Sequence, residues 1–184
     1  FILDEAHQLP DVAANFFGMS ASARQLQELG RDALAEHLRE AGDMQELAGA
    51  KDRLDKAVAD FRLTLGAEQQ RLAWGEAAQG QGFDDALRDL EEALAELTRW
   101  LETAAPRAKG LENCWRRGLD LMERLELLTR PAQEDFIHWI DVHRRSFTLH
   151  LTPLDVASPF QTNMRAQQSA WVFTSATLAV GERF

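Results

Sequence analysis

The stretch from Phe83 to Thr103 constrains the fold most. Phe83, Leu87, Leu90, Leu94, Leu97 and Leu101 recur at alternating spacings of four and three. That seven-residue repeat puts all six on one stripe of an α-helix, and the stripe needs a second helix against it. Asp84, Asp85 and Asp89 favour its N-terminal half and Arg99 lies near its end, a polarity that suits the helix dipole. Three more helices are expected. Ser20 or Ser22 caps one that runs to about Ala41, with Leu26, Leu29, Ala33 and Leu34 on its apolar side, until Gly42-Asp43 breaks it. The next spans about Met44 to Leu65, with Leu47, Leu54, Val58, Phe61 and Leu65 at helical spacings and Gly66 as its stop. The last spans about Ala108 to Thr129, between Pro106 and Pro131, and points Leu111, Trp115, Leu119, Met122, Leu125 and Leu128 inward. Residues 67–82, with Trp74 and the run Gln79-Gly80-Gln81-Gly82, read as a flexible hairpin or loop.

Toward both ends the period changes. Phe1-Ile2-Leu3 runs into Asp4-Glu5-Ala6-His7. An apolar run ending in two carboxylates reads as a buried strand that delivers charge to its C-terminal edge, where open α/β sheets bind ligands. Leu9-Pro10-Asp11 makes a turn, and Val12, Phe16 and Phe17 follow at spacings that pack a short helix onto the sheet, with Gly18 as its stop. Residues 136–142 and 147–152 alternate and are rich in β-branched and aromatic side chains, so they read as two strands of a hairpin closed by Pro153. Residues 154–160 form a loop or one turn, and 161–168 a short helix. The strand Trp171–Phe173 then leads into Thr174-Ser175-Ala176-Thr177. One helix suffices for a crossover between parallel strands. Four long ones therefore imply a mainly α fold, a four-helix bundle inserted between the strands of a truncated α/β domain.

Composition narrows the chemistry. The 184 residues suffice for one or two domains with a real core. No apolar run approaches the ~20 residues of a membrane span. A lone cysteine, Cys114, excludes an internal disulfide and an all-cysteine metal site, and it fits a reducing cytoplasm. His138, His143 and His150 lack metal-ligand spacing and read as structural or exposed, while Trp100, Trp115, Trp139 and Trp171 read as core. Trp74 either stacks on a base or packs its own loop. Acidic residues outnumber basic ones 30 to 20, for a net charge of −10. Such a balance argues against a large nucleic-acid surface and leaves phosphate contact to local basic spots or to parts of the protein outside these residues. Arg116, Arg117 and Arg124 make one such spot, Arg144 and Arg145 another. Each is either a DNA-backbone contact or a solvated face paired with nearby glutamates.

Asp4-Glu5-Ala6-His7 and Ser175-Ala176-Thr177 together resemble motifs II and III of superfamily 2 helicases. The longer runs ILDEAHQLPDVA and WVFTSATL are similar to the bacterial DinG/YoaA branch of the XPD-like DNA helicases. In that family a helical insertion, the arch, lies between the two motifs. The resemblance implies a motor segment over residues 1–18, an arch over 19–133 and a returning motor segment over 134–184. It implies that Asp4 holds Mg²⁺ through water, that Glu5 is the general base or water-orienting group, and that His7 couples the nucleotide site to motif III. Ser175, Ala176 and Thr177 would link ATP hydrolysis to strand movement, and Arg116, Arg117, Arg144 and Arg145 are the candidate DNA contacts. The parent protein would use ATP and Mg²⁺ to unwind DNA 5′→3′ along a single strand, in repair or replication in the bacterial cytoplasm, with a possible protein partner. It would carry a [4Fe–4S] cluster on four cysteines in a segment before motif II. The chain begins inside a motif and has no Gly-x-x-x-x-Gly-Lys-Ser/Thr loop, so it is expected to be a fragment that binds no cofactor and is inactive alone. The competing class is an acidic helical protein-interaction module without catalysis.

Overall fold

The computed structural model describes residues 1–40, 42–130, 135–167 and 169–175, apart from the side chains at 10, 11, 14 and 15. Strand β1 (Ile2–Leu3) leads through a 3₁₀ turn (Ala6–Gln8) to helix α1 (Leu9–Phe17) and strand β2 (Met19–Ser22). Helices α2 (Ala23–Glu40) and α3 (Gln45–Thr64) follow, then β3 (Gln70–Ala73) and the single turn α4 (Trp74–Ala77). Helices α5 (Phe83–Ala104) and α6 (Lys109–Thr129) flank a 3₁₀ turn at Ala105–Arg107. Strands β4 (Phe136–Val142) and β5 (Phe147–Pro153), helix α7 (Ala157–Ala166) and strand β6 (Val172–Phe173) complete the order. At 64% helix the protein is mainly α, as expected. No described helix is long and apolar enough to cross a membrane. The described residues fall into two compact units, one of residues 1–19, 135–137 and 151–175, the other of 20–130 and 138–150.

The second unit is built on the α5 seam. Phe83, Leu90, Leu94, Leu97 and Leu101 are fully buried and Leu87 half-buried, and α5 packs on α3 and α6 while α2 packs on the same two. Leu26, Leu29 and Ala33 from α2 and Leu47, Leu54, Val58 and Phe61 from α3 fill the rest. The Phe61 ring lies 5.2 Å from Phe83 and 4.9 Å from Phe147, which ties the helices to β5. Ser22 starts α2 with a capping box. Its amide donates to Gln25 Oε1 (2.9 Å), and its hydroxyl accepts the Gln25 amide (3.2 Å).

Helix α6 buries Leu111, Leu125 and Leu128 as expected, but its middle turns a different stripe inward. Leu111, Cys114, Gly118, Leu121, Leu125 and Leu128 are buried, whereas Leu119 is 45% exposed and Trp115 and Met122 are only half-buried. Close approach explains the choice. A Cβ on Gly118 would stand 2.7 Å from the Thr98 hydroxyl on α5. Small residues let the helices draw together, and the stripe follows them rather than the largest apolar side chains.

The expected loop at 67–82 holds β3 and α4 instead. Strand β3 pairs antiparallel with β4, setting Arg71 opposite Asp141 and Leu72 opposite Ile140, and the sheet order is β2-β5-β4-β3. Arg71 lies 4.2 Å from the Trp139 ring centre and 3.4 Å from Asp141, and Trp74 meets Phe83 edge-on at 5.4 Å. The β4 partners are distant in sequence, so they override a loop-like composition. Trp100, Trp115, Trp139 and Trp171 are half-buried rather than core. Leucine, alanine and phenylalanine fill the interior, and the larger indoles sit at its margin.

In the first unit β1 and β6 run parallel, Ile2 beside Val172 and Leu3 beside Phe173. Helix α1 begins at Leu9, where a turn was expected, because proline is tolerated in a first turn that needs no amide there. Its inward positions are Ala13, which is buried, and Phe17, half-buried, four residues apart. Val12 and Phe16, expected to pack inward, are 57% and 77% exposed. Helix α7 starts earlier than expected, since the Asp155 carboxylate accepts the amides of Ala157 (2.8 Å) and Ser158 (3.2 Å).

Candidate active site

The two strands of the first unit bring residues 4–7 beside residues 174–175. The Val172 amide donates to the Phe1 carbonyl, the Thr174 amide to the Leu3 carbonyl, and the Ala6 amide to the Thr174 carbonyl, each at 2.9 Å. Thr174 is thus held through both backbone groups on either side of Asp4-Glu5. Its hydroxyl donates to Asp4 Oδ1 (2.7 Å), which also accepts the Glu5 amide (3.0 Å). Thr174 was not among the expected site residues. Its position directly before Ser175-Ala176-Thr177 was the available signal, but its meaning depends on strand register.

Glu5 sits at φ 54°, ψ 45°, and among the described residues no other non-glycine residue has a positive φ. For a side-chain-bearing residue that region costs on the order of 1 kcal/mol. The kink ends β1 and turns the chain into the Ala6–Gln8 turn, leaving both carboxylates on an exposed corner. His7 Nδ1 lies 2.8 Å from Ser175 Oγ and 3.1 Å from Glu5 Oε2. His7 Nδ1 thus stands between the Ser175 hydroxyl and the Glu5 carboxylate.

The Thr174 hydroxyl, and after it the Glu5 amide, hold the Asp4 carboxyl below its ordinary range. Asp4 therefore stays ionised while fully exposed, with both hydrogen bonds on Oδ1. Mg²⁺ is commonly held by one or two carboxylates while keeping water and taking phosphate oxygens. Asp4 fits that requirement by charge and accessibility. Among the described residues no cluster of three or more His, Cys, Asp or Glu side chains forms a protein-only metal site.

No family model matches the chain. A Haemophilus influenzae protein named ATP-dependent DNA helicase YoaA is 38% identical over all 184 residues, which cover 29% of that protein. Its Escherichia coli namesake is 36% identical over 181 residues, 98% of this chain and 28% of that protein. The chain belongs to the DinG/YoaA family. It spans less than a third of the length of these two relatives.

The remaining candidates of this DinG/YoaA chain part company. Arg116 pairs with Glu112 (2.5 Å), Arg117 with Asp32 (2.6 Å) and Arg124 with Asp120 (3.0 Å). Arg144 and Arg145 are exposed in the β4–β5 turn, and no ion pair joins either to a carboxylate among the described residues. Ala176 and Thr177 lie outside the described residues. His138 is buried with Nδ1 3.3 Å from the Leu128 carbonyl, His150 stacks on Trp139 at 3.8 Å, and His143 is exposed.

Proposed function

We propose that the chain is the part of an ATP-dependent DNA helicase that runs from motif II to motif III of a RecA-like motor domain. Residues 1–18 and 134–184 are its motor segments and 19–133 its helical arch. One juxtaposition supports the reading above others: His7 and Ser175, 168 residues apart, share a 2.8 Å hydrogen bond. A change at the carboxylates can thereby reach the second strand. Asp4 is the ligand of hydrated Mg²⁺, which when bound neutralises charge on ATP phosphates. Glu5 orients the attacking water and takes its proton. His7 passes the state of that corner to Ser175, and Ala176 and Thr177 continue motif III. The parent unwinds DNA 5′→3′ in the bacterial cytoplasm, in repair or replication, with a [4Fe–4S] cluster on residues other than these. The helical arch forms one wall of the single-stranded DNA passage. Alone, the 184 residues lack a Gly-Lys phosphate loop and are inactive.

Ser175→Ala in the parent tests the coupling. It removes one hydrogen-bonding hydroxyl, worth about a factor of ten. DNA-stimulated ATP turnover is expected to persist while unwinding per ATP falls by about that factor. Unwinding and turnover that fall together, or neither changing, would sink the coupling role.

A further inference from the structure

Arg62, near the end of α3, is 7% exposed. A guanidinium taken so far from water needs partners. It finds them in backbone carbonyls: Nε donates to His143 (2.6 Å), Nη1 to Gly66 (2.6 Å), and Nη2 lies 3.5 Å from the Arg144 carbonyl. The same turn is closed by the His143 amide donating to the Ser146 carbonyl (2.9 Å). Arg62 thus acts as a clamp on the β4–β5 turn, and its positive charge is left beside that turn. Arg144 and Arg145 stand exposed in it, while Arg116, Arg117 and Arg124 are each engaged by a carboxylate. In a chain of net charge −10, three arginines gathered at one ordered turn are a local exception. Such an arrangement suits a chain of phosphates, because guanidinium pairs with phosphate oxygens through two parallel hydrogen bonds.

We propose that the β4–β5 turn is a phosphodiester-binding site. Arg144 and Arg145 contact successive phosphates of single-stranded DNA, and Arg62 is the positioning residue that holds the turn for them. The choice of DNA rests on the helicase reading; the choice of this turn over α6 rests on the ion pairs just described.

The test is binding of a fluorescent oligothymidylate of about twenty nucleotides to the 184-residue chain across a salt series. Each phosphate contact on a single strand contributes about 0.7 to the slope of log affinity against log salt. Arg144→Ala with Arg145→Ala should lower the slope by about 1.4 and weaken low-salt binding roughly ten-fold. Arg116→Ala with Arg117→Ala should leave the slope alone. Arg62→Lys keeps the charge but loses the planar fork, so affinity should drop several-fold. In the Arg144→Ala, Arg145→Ala background it should cause no further loss, because the clamp acts only through those two residues. A general structural role would weaken both backgrounds equally and would overturn the clamp. Equal slopes for the two double variants, or no binding at the lowest salt, would overturn the site. Failure of the helicase reading is registered separately, by an absence of ATP-driven unwinding in the native parent.

Discussion

The two units treat their polar groups in opposite ways. In the helical unit Leu90, Leu94, Leu97 and Leu101 of α5 are fully buried, Thr98 bonds the Leu94 carbonyl, and Arg62 spends its guanidinium on turn carbonyls. In the strand unit two carboxylates stand in solvent, Glu5 holds a left-handed backbone, and Phe16 is 77% exposed. Burial stabilises the helical unit. The strand unit keeps a short two-stranded ladder and a strained corner, features that add little to stability and leave oxygen atoms free to act. Changes to the corner should therefore alter chemistry with little effect on folding, and changes to the seam should do the reverse.

Glu5→Gln should show the largest effect. Loss of a general base typically costs 10²- to 10⁴-fold, so single-turnover ATP hydrolysis by the parent should fall by about that much. The melting temperature should barely move, since exposed substitutions usually stay within about 0.5 kcal/mol. A loss of activity below about ten-fold would remove Glu5 from the base role.

A pair of identical substitutions sharpens the other side of the contrast. Gly49, on α3, has nothing within 4 Å of an added Cβ, whereas Gly118 has Thr98 Oγ1 at 2.7 Å and Thr98 Cγ2 at 3.2 Å. Gly49→Ala should stabilise by up to about 1 kcal/mol through helix propensity. Gly118→Ala gains the same propensity but forces Thr98 or the helix to move, for a net loss of about 1–2 kcal/mol. Denaturant melts of the two variants decide it. Shifts of the same sign would mean that α6 does not approach α5 closely at this glycine.

The same contrast explains what could be read from residues alone. The α5 seam was legible because its signal is local: each apolar residue predicts the next three or four positions on. The α6 stripe is legible at its ends, in Leu111, Leu125 and Leu128, but not in its middle, where Cys114 and Gly118 face the partner helix in place of the larger Trp115, Leu119 and Met122. Strand β3 was missed because its partner strand begins more than sixty residues later. Arg62 looks like any solvated helical arginine until the turn at His143 is placed against it. Thr174 gains its role only from the register of β6 on β1. Contacts within one turn are written in the sequence; contacts between distant segments depend on register and approach distance, which residue types alone do not specify.

The smallest expected effect probes that register directly. The Thr174 hydroxyl is the foremost cause of the low Asp4 pKa. Thr174→Val keeps the β-branched shape and removes the donor, so the Asp4 midpoint should rise toward the ordinary carboxylate range. A carboxyl whose folded pKa lies below its unfolded one favours the folded state above the unfolded pKa, and that contribution is lost as pH falls through the folded pKa. The β1–β6 pairing should accordingly weaken on acidification in the native chain, and Thr174→Val should shrink that loss, because its Asp4 pKa lies closer to the unfolded value. Near pH 7 the native chain should be the more stable of the two, by a small margin because water solvates the exposed carboxylate, and the two should converge below the folded pKa. Following the Asp4 carboxyl resonance through an acid titration by NMR reads the shift. A midpoint that stays put or falls would mean that the Thr174 hydroxyl does not hold Asp4, and the register that joins the two ends of the site would lose its side-chain support.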